Sequence, residues 1–482
     1  MNYKVVIHTL GYVLATEAAL LLLPLGVSFI YQDGCSMAFA LTIALVGLCS
    51  IAAIGVKPTN KVFYARDGFV IVSLSWVLMS LFGAIPFWLS AAIPSYVDAF
   101  FETVSGFTTT GASILNNVEA LSHSLLFWRS FTHWIGGMGV LVFVLAVLPM
   151  ANDHSRHLIR AEMPGPSVGK LVPKMQRTAI ILYLLYIALT FLQIIFLLLG
   201  DMPFFDSLLT AFGTAGTGGF GVKNNSIAFY NSSYIDGVIT VFMLLFGINF
   251  NLYYYLLLRD FEHVFKNEEL WWYLGIALGA MGLITLNILS LTNGLGQAFR
   301  LASFQVASVM TTTGFSTTDF NLWPTFSKFI LMLLMLIGAS GGSTGGGVKV
   351  SRIIILVKKA YNSLLQMLFP RYVRPLKMDG KRVDDDTINN TQVFFIAYIF
   401  LFLLCGLVVS LDGFDMETTL TSVLACFRNI GPGFGVVGPM GNFSLLSNLS
   451  KLVLSAAMLL GRLEIFPLLL LLFPKTWAPS RK

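Results

Sequence analysis

Apolar runs long enough to cross a bilayer, about 17–25 residues each, alternate with short polar loops along the whole chain. Two such runs, near 8–30 and 37–56, come first. After them one design recurs: a long apolar run, a shorter apolar segment ending in Thr and Gly, and a second long run. The long runs lie near 68–92 and 124–150, 178–200 and 234–258, 271–293 and 325–362, and 392–411 and 446–473. Barrel strands would alternate polar and apolar residues in roughly ten-residue segments, and these runs do not. The pattern therefore predicts an all-α integral membrane protein with about ten transmembrane helices, because a helix satisfies its own backbone in lipid. Ten crossings put both termini on one side.

The shorter segments read SGFTTTGAS (105–113), GTAGTGGFG (213–221), MTTTGFSTT (310–318) and NIGPGFG (429–435). Aligned on Gly111, Gly219, Gly314 and Gly431, each has a small residue six positions earlier: Ser105, Gly213, Ser308 or Ala425. The helical stretch before each Gly, about 12–15 residues, is too short to span. A re-entrant hairpin is predicted, a half-helix entering from outside followed by an extended return, tolerable at that depth only where it lines water or is buried in protein. These internal repeats divide the chain into a two-helix segment, 1–60, and four units at 61–170, 171–265, 266–385 and 386–482. The expected architecture is four pseudo-symmetric helix–pore loop–helix repeats around one pore. In the second segment either Gly218 or Gly219 fits the register.

Such loops suit a cation filter. A bare cation must exchange its water shell for fixed oxygens, and backbone carbonyls supply these without titratable charge. Aiming successive carbonyls at one axis needs backbone angles that Gly adopts cheaply. The flanking Thr108 to Thr110 and Thr311 to Thr313 favour extended backbone and add hydroxyls. The expected filter residues are Thr109, Thr110, Gly111, Gly218, Gly219, Thr312, Thr313, Gly314, Asn429, Ile430 and Gly431. Each half-helix would point its negative end at the cation. Asp98, Glu102, Asp206, Asp415 and Glu417 sit near the half-helix starts, opposing the positive end and attracting cations at the outer mouth. Close helix packing explains one Thr/Gly cluster equally well, but not four in the same setting.

Composition agrees: 56% of residues are hydrophobic and 11% charged, against the 45–50% apolar residues usual in soluble domains. The net charge of +6 does not indicate nucleic acid, because it is confined to loops of one parity. Lys57, Lys61 and Arg66; Arg156, Arg160, Lys170, Lys174 and Arg177; Lys358, Lys359, Arg371, Arg374, Lys377, Lys381 and Arg382; and Lys475, Arg481 and Lys482 alternate with loops carrying Asp98, Glu119, Asp201, Asp236, Asp412 and Asp415. That bias puts the basic loops and both termini in the cytoplasm. The basic stretch 371–382 suits lipid headgroups or a docking partner. Cys35, Cys49, Cys405 and Cys426 are scattered, suggesting neither a disulfide framework nor a metal site. The first apolar run reads as a retained helix rather than a cleaved leader. Lone His123, His133 and His263 read as packed or interfacial side chains, and Tyr253 to Tyr255 with Trp271 and Trp272 as an aromatic belt.

Two features suggest a gate. Gly338, Gly341, Gly342, Gly345, Gly346 and Gly347 interrupt the third unit's last helix, each costing a helix interior about 1 kcal/mol. A loop inside the membrane is expected below the filter. It is not a phosphate loop, which needs Lys directly after Gly and then Ser or Thr, because Val348 separates Gly347 from Lys349 and Val350 follows. Arg462 lies within the last span, where a charge costs at least about 2.5–3.5 kcal/mol. It is expected to border the path beside that loop; an ion pair with Glu464 is the plainer alternative, although residues two apart do not share a helix face.

The segments SGFTTTGAS, SVMTTTGFSTTDF (308–320), GASGGSTGGGVKVSR (338–352), AEMPGPS (161–167) and GRLEIFP (461–467) resemble the Trk/Ktr/HKT superfamily of potassium transporters. The two extra N-terminal helices are most similar to the bacterial TrkH branch. The resemblance covers essentially the whole chain. It implies potassium as the ion bound in the pore, no other cofactor, one filter Gly per unit (Gly111, Gly219, Gly314, Gly431), a gate formed by Gly345, Gly346, Gly347 and Arg462, and ion transport or symport at the inner membrane. It also implies a homodimer and a cytoplasmic TrkA-like nucleotide-binding ring. Arg428 departs from the pattern where an uncharged residue is expected; it is expected to point behind the filter and pair with an acid. Two other classes fit less well: an alternating-access carrier, which calls for inverted repeats and two broken helices, where the sequence shows one strong break; and an enzyme, which needs grouped acids or His in a cleft.

Overall fold

The structure, a computed structural model, describes residues 1–58, 65–139, 175–370 and 375–478. The motif at 161–167, the basic residues Lys61, Arg156, Arg160, Lys170, Lys174, Arg371, Arg374, Arg481 and Lys482, and the end of the run near 124–150 lie outside the described residues.

The N-terminal segment holds α1 (Tyr3–Leu20), α2 (Leu22–Tyr31) and α3 (Ser36–Gly55). Together α1 and α2 form the expected first span, Tyr3–Tyr31, with a single turn residue at Leu21. Helices α1 and α3 pack closely at Gly11, where an added Cβ would sit 2.8 Å from Ile54 Cγ1, and Ser50 Oγ donates to the Gly11 carbonyl at 2.8 Å.

The span, half-helix, span order then recurs. First come α4 (Ala65–Gly83), the short α5 (Ile85–Leu89), α6 (Tyr96–Phe107) and α7 (His123–Gly137). Next are α8 (Met175–Leu198), α9 (Phe204–Ala215), α10 (Ser233–Phe246) and α11 (Phe250–Leu257), followed by the short α12 (Phe261–Phe265). Then follow α13 (Glu268–Ile288), α14 (Leu295–Met310), α15 (Thr325–Ile337) and α16 (Val350–Leu368). The last set is α17 (Asp385–Val409), α18 (Met416–Phe427), α19 (Asn448–Arg462), α20 (Phe466–Leu472) and α21 (Pro474–Trp477). The basic stretch adds a two-stranded hairpin, β1 (Lys377–Met378) against β2 (Lys381–Arg382).

Among the described residues six helices are long and apolar enough to cross a membrane, or seven if α10 and α11 count as one span bent by 89°. The shortfall from ten has a physical origin. The first set's second span runs past the described residues, and in the other three sets the second span is cut short: α10 turns into α11 at Gly247 to Asn249, α15 gives way to the glycine-rich loop, and α19 stops at Leu463 before α20, with Glu464 and Ile465 in left-handed conformations. The single strong break read from the sequence is thus joined by two more.

Packing runs in chain order. Helix α7 lies on α9, α10 on α14, α15 on α18, and α19 returns to α6. The four half-helices therefore form a cycle, each held by the preceding set's second span. Large apolar side chains fill the space behind them, including Phe101, Phe107 and Trp128 on one side and Phe304, Phe315 and Phe320 on the other. Trp128 donates its indole N–H to the Gly83 carbonyl at 2.9 Å, so its own polar edge is satisfied in that core.

Candidate functional site

The four Thr/Gly segments begin where the half-helices end, and each ends in the same way. The amide two residues past the helix's last residue donates to the carbonyl three back: Thr109 to Gly106 at 3.1 Å, Thr217 to Thr214 at 3.0 Å, Thr312 to Val309 at 3.1 Å, and Asn429 to Cys426 at 3.2 Å. The next amide reaches five back: Thr110 to Ser105, Gly218 to Gly213 and Thr313 to Ser308, all at 2.8 Å, and Ile430 to Ala425 at 2.9 Å. The acceptors are the small residues of the alignment. These bonds use up the helix's last carbonyls, as C-terminal caps do.

Left-handed conformations then alternate: Thr109 and Gly111, Thr217 and Gly219, Thr312 and Gly314, Asn429 and Gly431, with φ between 54° and 96°. In the second segment the positive φ falls on Gly219, which sets the register there. Gly218 packs on the His133 ring instead. A Cβ on Gly111 would overlap the Gly218 carbonyl, one on Gly219 the Thr313 carbonyl, and one on Gly314 the Ile430 carbonyl; on Gly431 it would come within 2.7 Å of the Thr110 carbonyl. Each loop thus touches the next, and the fourth touches the first. Substitution at these positions meets both a strained φ and rigid backbone.

Hydroxyls and amides brace the ring. Thr108 Oγ1 donates to the Val104 carbonyl at 2.6 Å and lies 2.8 Å from Thr110 Oγ1; Thr311 Oγ1 repeats this with Ala307 at 2.7 Å and Thr313 at 2.8 Å. Behind the first two loops, buried Arg129 donates to Glu102 at 2.7 Å and to the Gly221 carbonyl at 3.0 Å, while Glu102 accepts from the Ile114 amide at 2.9 Å. The expected outer-mouth role of Glu102 is therefore corrected: it lies in the second turn of α6, buried and paired. Its neighbours at the half-helix starts are also engaged, Asp98 with Lys451 at 2.7 Å, Asp206 with the Tyr230 hydroxyl at 2.6 Å and Glu417 with Lys328 at 2.6 Å. Asp415 caps α18, accepting from the Thr418 amide at 3.3 Å.

The glycine-rich loop, 338–349, lies directly under the ring. The Gly346 amide donates to Thr312 Oγ1 at 2.6 Å, and a Cβ on Gly346 would meet the Arg428 carbonyl at 2.5 Å. One carboxylate oxygen of buried Glu269, on α13, accepts from Gly341 N at 2.7 Å and Ser351 N at 2.9 Å, tying both ends of the loop. Lys349 turns back and donates to the Gly345 carbonyl. Gly345 and Gly347 complete the stretch, Gly347 in a left-handed conformation against Gly338.

Arg462, at the end of α19, joins loop and ring. Its Nη1 donates to Thr109 Oγ1 at 3.1 Å and to the Thr344 carbonyl at 3.0 Å; its Nη2 donates to the carbonyls of Gly136 and Gly137 at the end of α7. Glu464 pairs instead with Arg352, at 2.5 and 3.0 Å. Arg428 lies against α17, its guanidinium carbon 3.7 Å from the Tyr398 ring centroid, and not with the expected acid among the described residues.

Sequence reasoning missed Glu269 and Arg129, whereas His133, read as a packed or interfacial side chain, is buried with its Nδ1 accepting from the Phe220 amide at 3.4 Å. Glu269 follows Glu268 in what reads as a loop flank, and nothing in the sequence separates the exposed acid from the buried one.

Comparison with known proteins agrees along the whole chain. The TrkH family of cation transport proteins matches residues 37–478. The Trk system potassium uptake protein TrkH of Salmonella typhimurium is 35% identical, over 99% of this chain and 100% of that one. TrkG of Escherichia coli, also a Trk system potassium uptake protein, is 32% identical over 99% of each. The crystal structure of the potassium transporter TrkH from Vibrio parahaemolyticus superposes with a TM-score of 0.89 at 32% identity, covering 99% of this chain and all of that one. This chain is thus a multi-pass membrane protein that belongs to the TrkH family.

Proposed function

We propose that the chain takes up potassium through a gated, channel-like pore lined by the carbonyls around Gly111, Gly219, Gly314 and Gly431. The observation that carries this reading is the closed cycle in which each loop's glycine abuts the next loop's carbonyl and the fourth returns to the first. Four backbone turns of one geometry around an axis supply oxygens a desolvated alkali cation can use without trapping it. The relatives' names as potassium uptake proteins support potassium as the ion.

In this reading the units are 61–170, 171–265, 266–385 and 386–482, with 1–60 as an added two-helix segment. The 345–347 stretch, held by Arg462 and Glu269, closes the path beneath the filter. The protein works in the inner membrane with both termini cytoplasmic, as a homodimer regulated by a TrkA-like nucleotide-binding ring, with membrane lipids on its basic loops. It transports and does not catalyse a covalent reaction.

Uptake of radioactive rubidium into proteoliposomes, competed by potassium and sodium, tests this. Saturable uptake blocked by potassium well before sodium is expected; no uptake, or equal competition, overturns it. A carrier that couples potassium to sodium or protons is the second reading, favoured by the extra breaks at Gly247 and Leu463. Downhill rubidium flux that persists without a sodium or pH gradient decides for the pore.

A further inference from the structure

We propose that Arg428 lowers the affinity of the pore for its cation, weakening the fourth quadrant of the filter so that the ion is released quickly. This rests on the reading of the ring as a cation filter.

The residues that end the other three half-helices are Thr108, Gly216 and Thr311; only α18 ends in a charge. Arg428 is 2% exposed, and its Nε and Nη2 have no hydrogen-bond partner among the described residues. Three other guanidiniums buried or half-buried near the half-helices are neutralised by carboxylates, Arg129 by Glu102 at 2.7 Å, Arg300 by Asp236 at 2.7 Å, and Arg352 by Glu464 at 2.5 Å, while Arg462 donates to Thr109 Oγ1 and to backbone carbonyls. Arg428 is covered by the face of Tyr398, 3.7 Å from its guanidinium carbon, with no ion pair among the described residues. A ring quadrupole attracts a cation but does not cancel its charge.

The charge acts at a specific place. A helix C-terminus carries about half a negative elementary charge, and in this ring the other three such ends have uncharged cap residues, with Arg462 reaching Thr109 just past the first of them. At α18 a permanent cation occupies the same end, so the partial charge that would favour a potassium ion is offset. Arg428, Asn429 and Ile430 are all buried, so the field is weakly screened. The adjacent Asn429 belongs to the filter, and the Arg428 carbonyl lies against Gly346 of the loop beneath. The expected signature is a raised KM with an undiminished maximal rate, since a weaker site is also one the ion leaves sooner.

The test is rubidium uptake by the full chain in proteoliposomes over a concentration series. Arg428→Gln and Arg428→Asn are expected to lower KM about three- to tenfold, and Arg428→Lys to keep the wild-type KM. Tyr398→Leu leaves the charge and removes its cover, so it is expected to raise KM. A wild-type KM in Arg428→Gln with a reduced maximal rate overturns the proposal in favour of a clamp between α17 and α18. So does an equal shift in Arg428→Lys and Arg428→Gln. If neither neutral variant assembles, an unchanged or lowered KM in Tyr398→Leu overturns it. Wild-type protein that carries no rubidium overturns the transport reading itself.

Discussion

Asn429 donates from Nδ2 to Thr110 Oγ1 at 2.9 Å, joining the last loop of the ring to the first across 319 positions of sequence. The same amide donates to the Met458 carbonyl at 3.0 Å, so one side chain ties two loops and α19. Asn429→Ala strands these buried acceptors, at about 1–3 kcal/mol. The expected result is a lower thermal midpoint in detergent and a rubidium uptake that sodium competes for more effectively. Unchanged sodium competition would separate this bond from selectivity.

Arg462 spans the gap between Thr109 of the ring and Thr344 of the loop. Arg462→Ala removes both a cation near the path and the donor that fixes the loop. Rubidium flux in liposomes is expected to rise at equal protein content; flux at the wild-type level refutes the barrier.

Glu269 acts on the same loop from the other side, through Gly341 and Ser351. Glu269→Ala frees both amides and is expected to raise basal flux, while Glu269→Gln, which keeps an acceptor oxygen, retains most of the closure. Measuring both against wild type distinguishes lost hydrogen bonds from lost charge, because a charge effect moves Gln and Ala together.

Glycines divide sharply by environment. In α13, Gly275, Gly279 and Gly282 have nothing within 4 Å of an added Cβ, so alanine there is expected to stabilise by up to about 1 kcal/mol and leave uptake intact. Gly219→Ala, with φ of +74° and a carbonyl in the way, is expected to abolish uptake. Retained uptake in Gly219→Ala would show that the second loop is not part of the path.

Asp415 lies in the loop before α18, outside the spans. The Thr418 hydrogen bonds hold its carboxyl below the usual carboxylate range. A depressed folded-state value contributes stability above the unfolded value, about 3.9, that is lost as pH falls through the folded one. The protection of the Thr418 amide, its exchange relative to an unstructured amide at the same pH, is expected to fall below about pH 4 in wild type but to stay level with pH in Asp415→Asn.

Much of this is legible in the sequence. Gly111, Gly314 and Gly431 announced themselves because left-handed backbone selects glycine, and Ser105, Gly213, Ser308 and Ala425 because a turn packed that tightly selects small residues. The glycine-rich loop was legible because so many glycines cannot stay helical. The break at Leu463 was not, since the left-handed conformations there fall on Glu464 and Ile465, which no local preference favours. Tertiary contacts impose it: Arg352 holds Glu464, and Ile465 is fully buried. Burial also explains Glu102, whose position near a helix start suggested the mouth, while its partner Arg129 lies on another helix. The lone cation at Arg428 showed in the sequence, but its aromatic cover did not, because Tyr398 stands thirty positions away on α17.

The order in which the loops meet also bears on how the protein is made. Synthesis proceeds from the N-terminus, and domains generally fold in that direction, yet the loop at Gly111 waits for its neighbour at Gly431. Until the C-terminal quarter emerges and α19 packs on α6, three finished hairpins stand around an open side. Their polar backbone then faces lipid or a temporary attendant, which makes insertion of α17 to α19 the committing event of biogenesis.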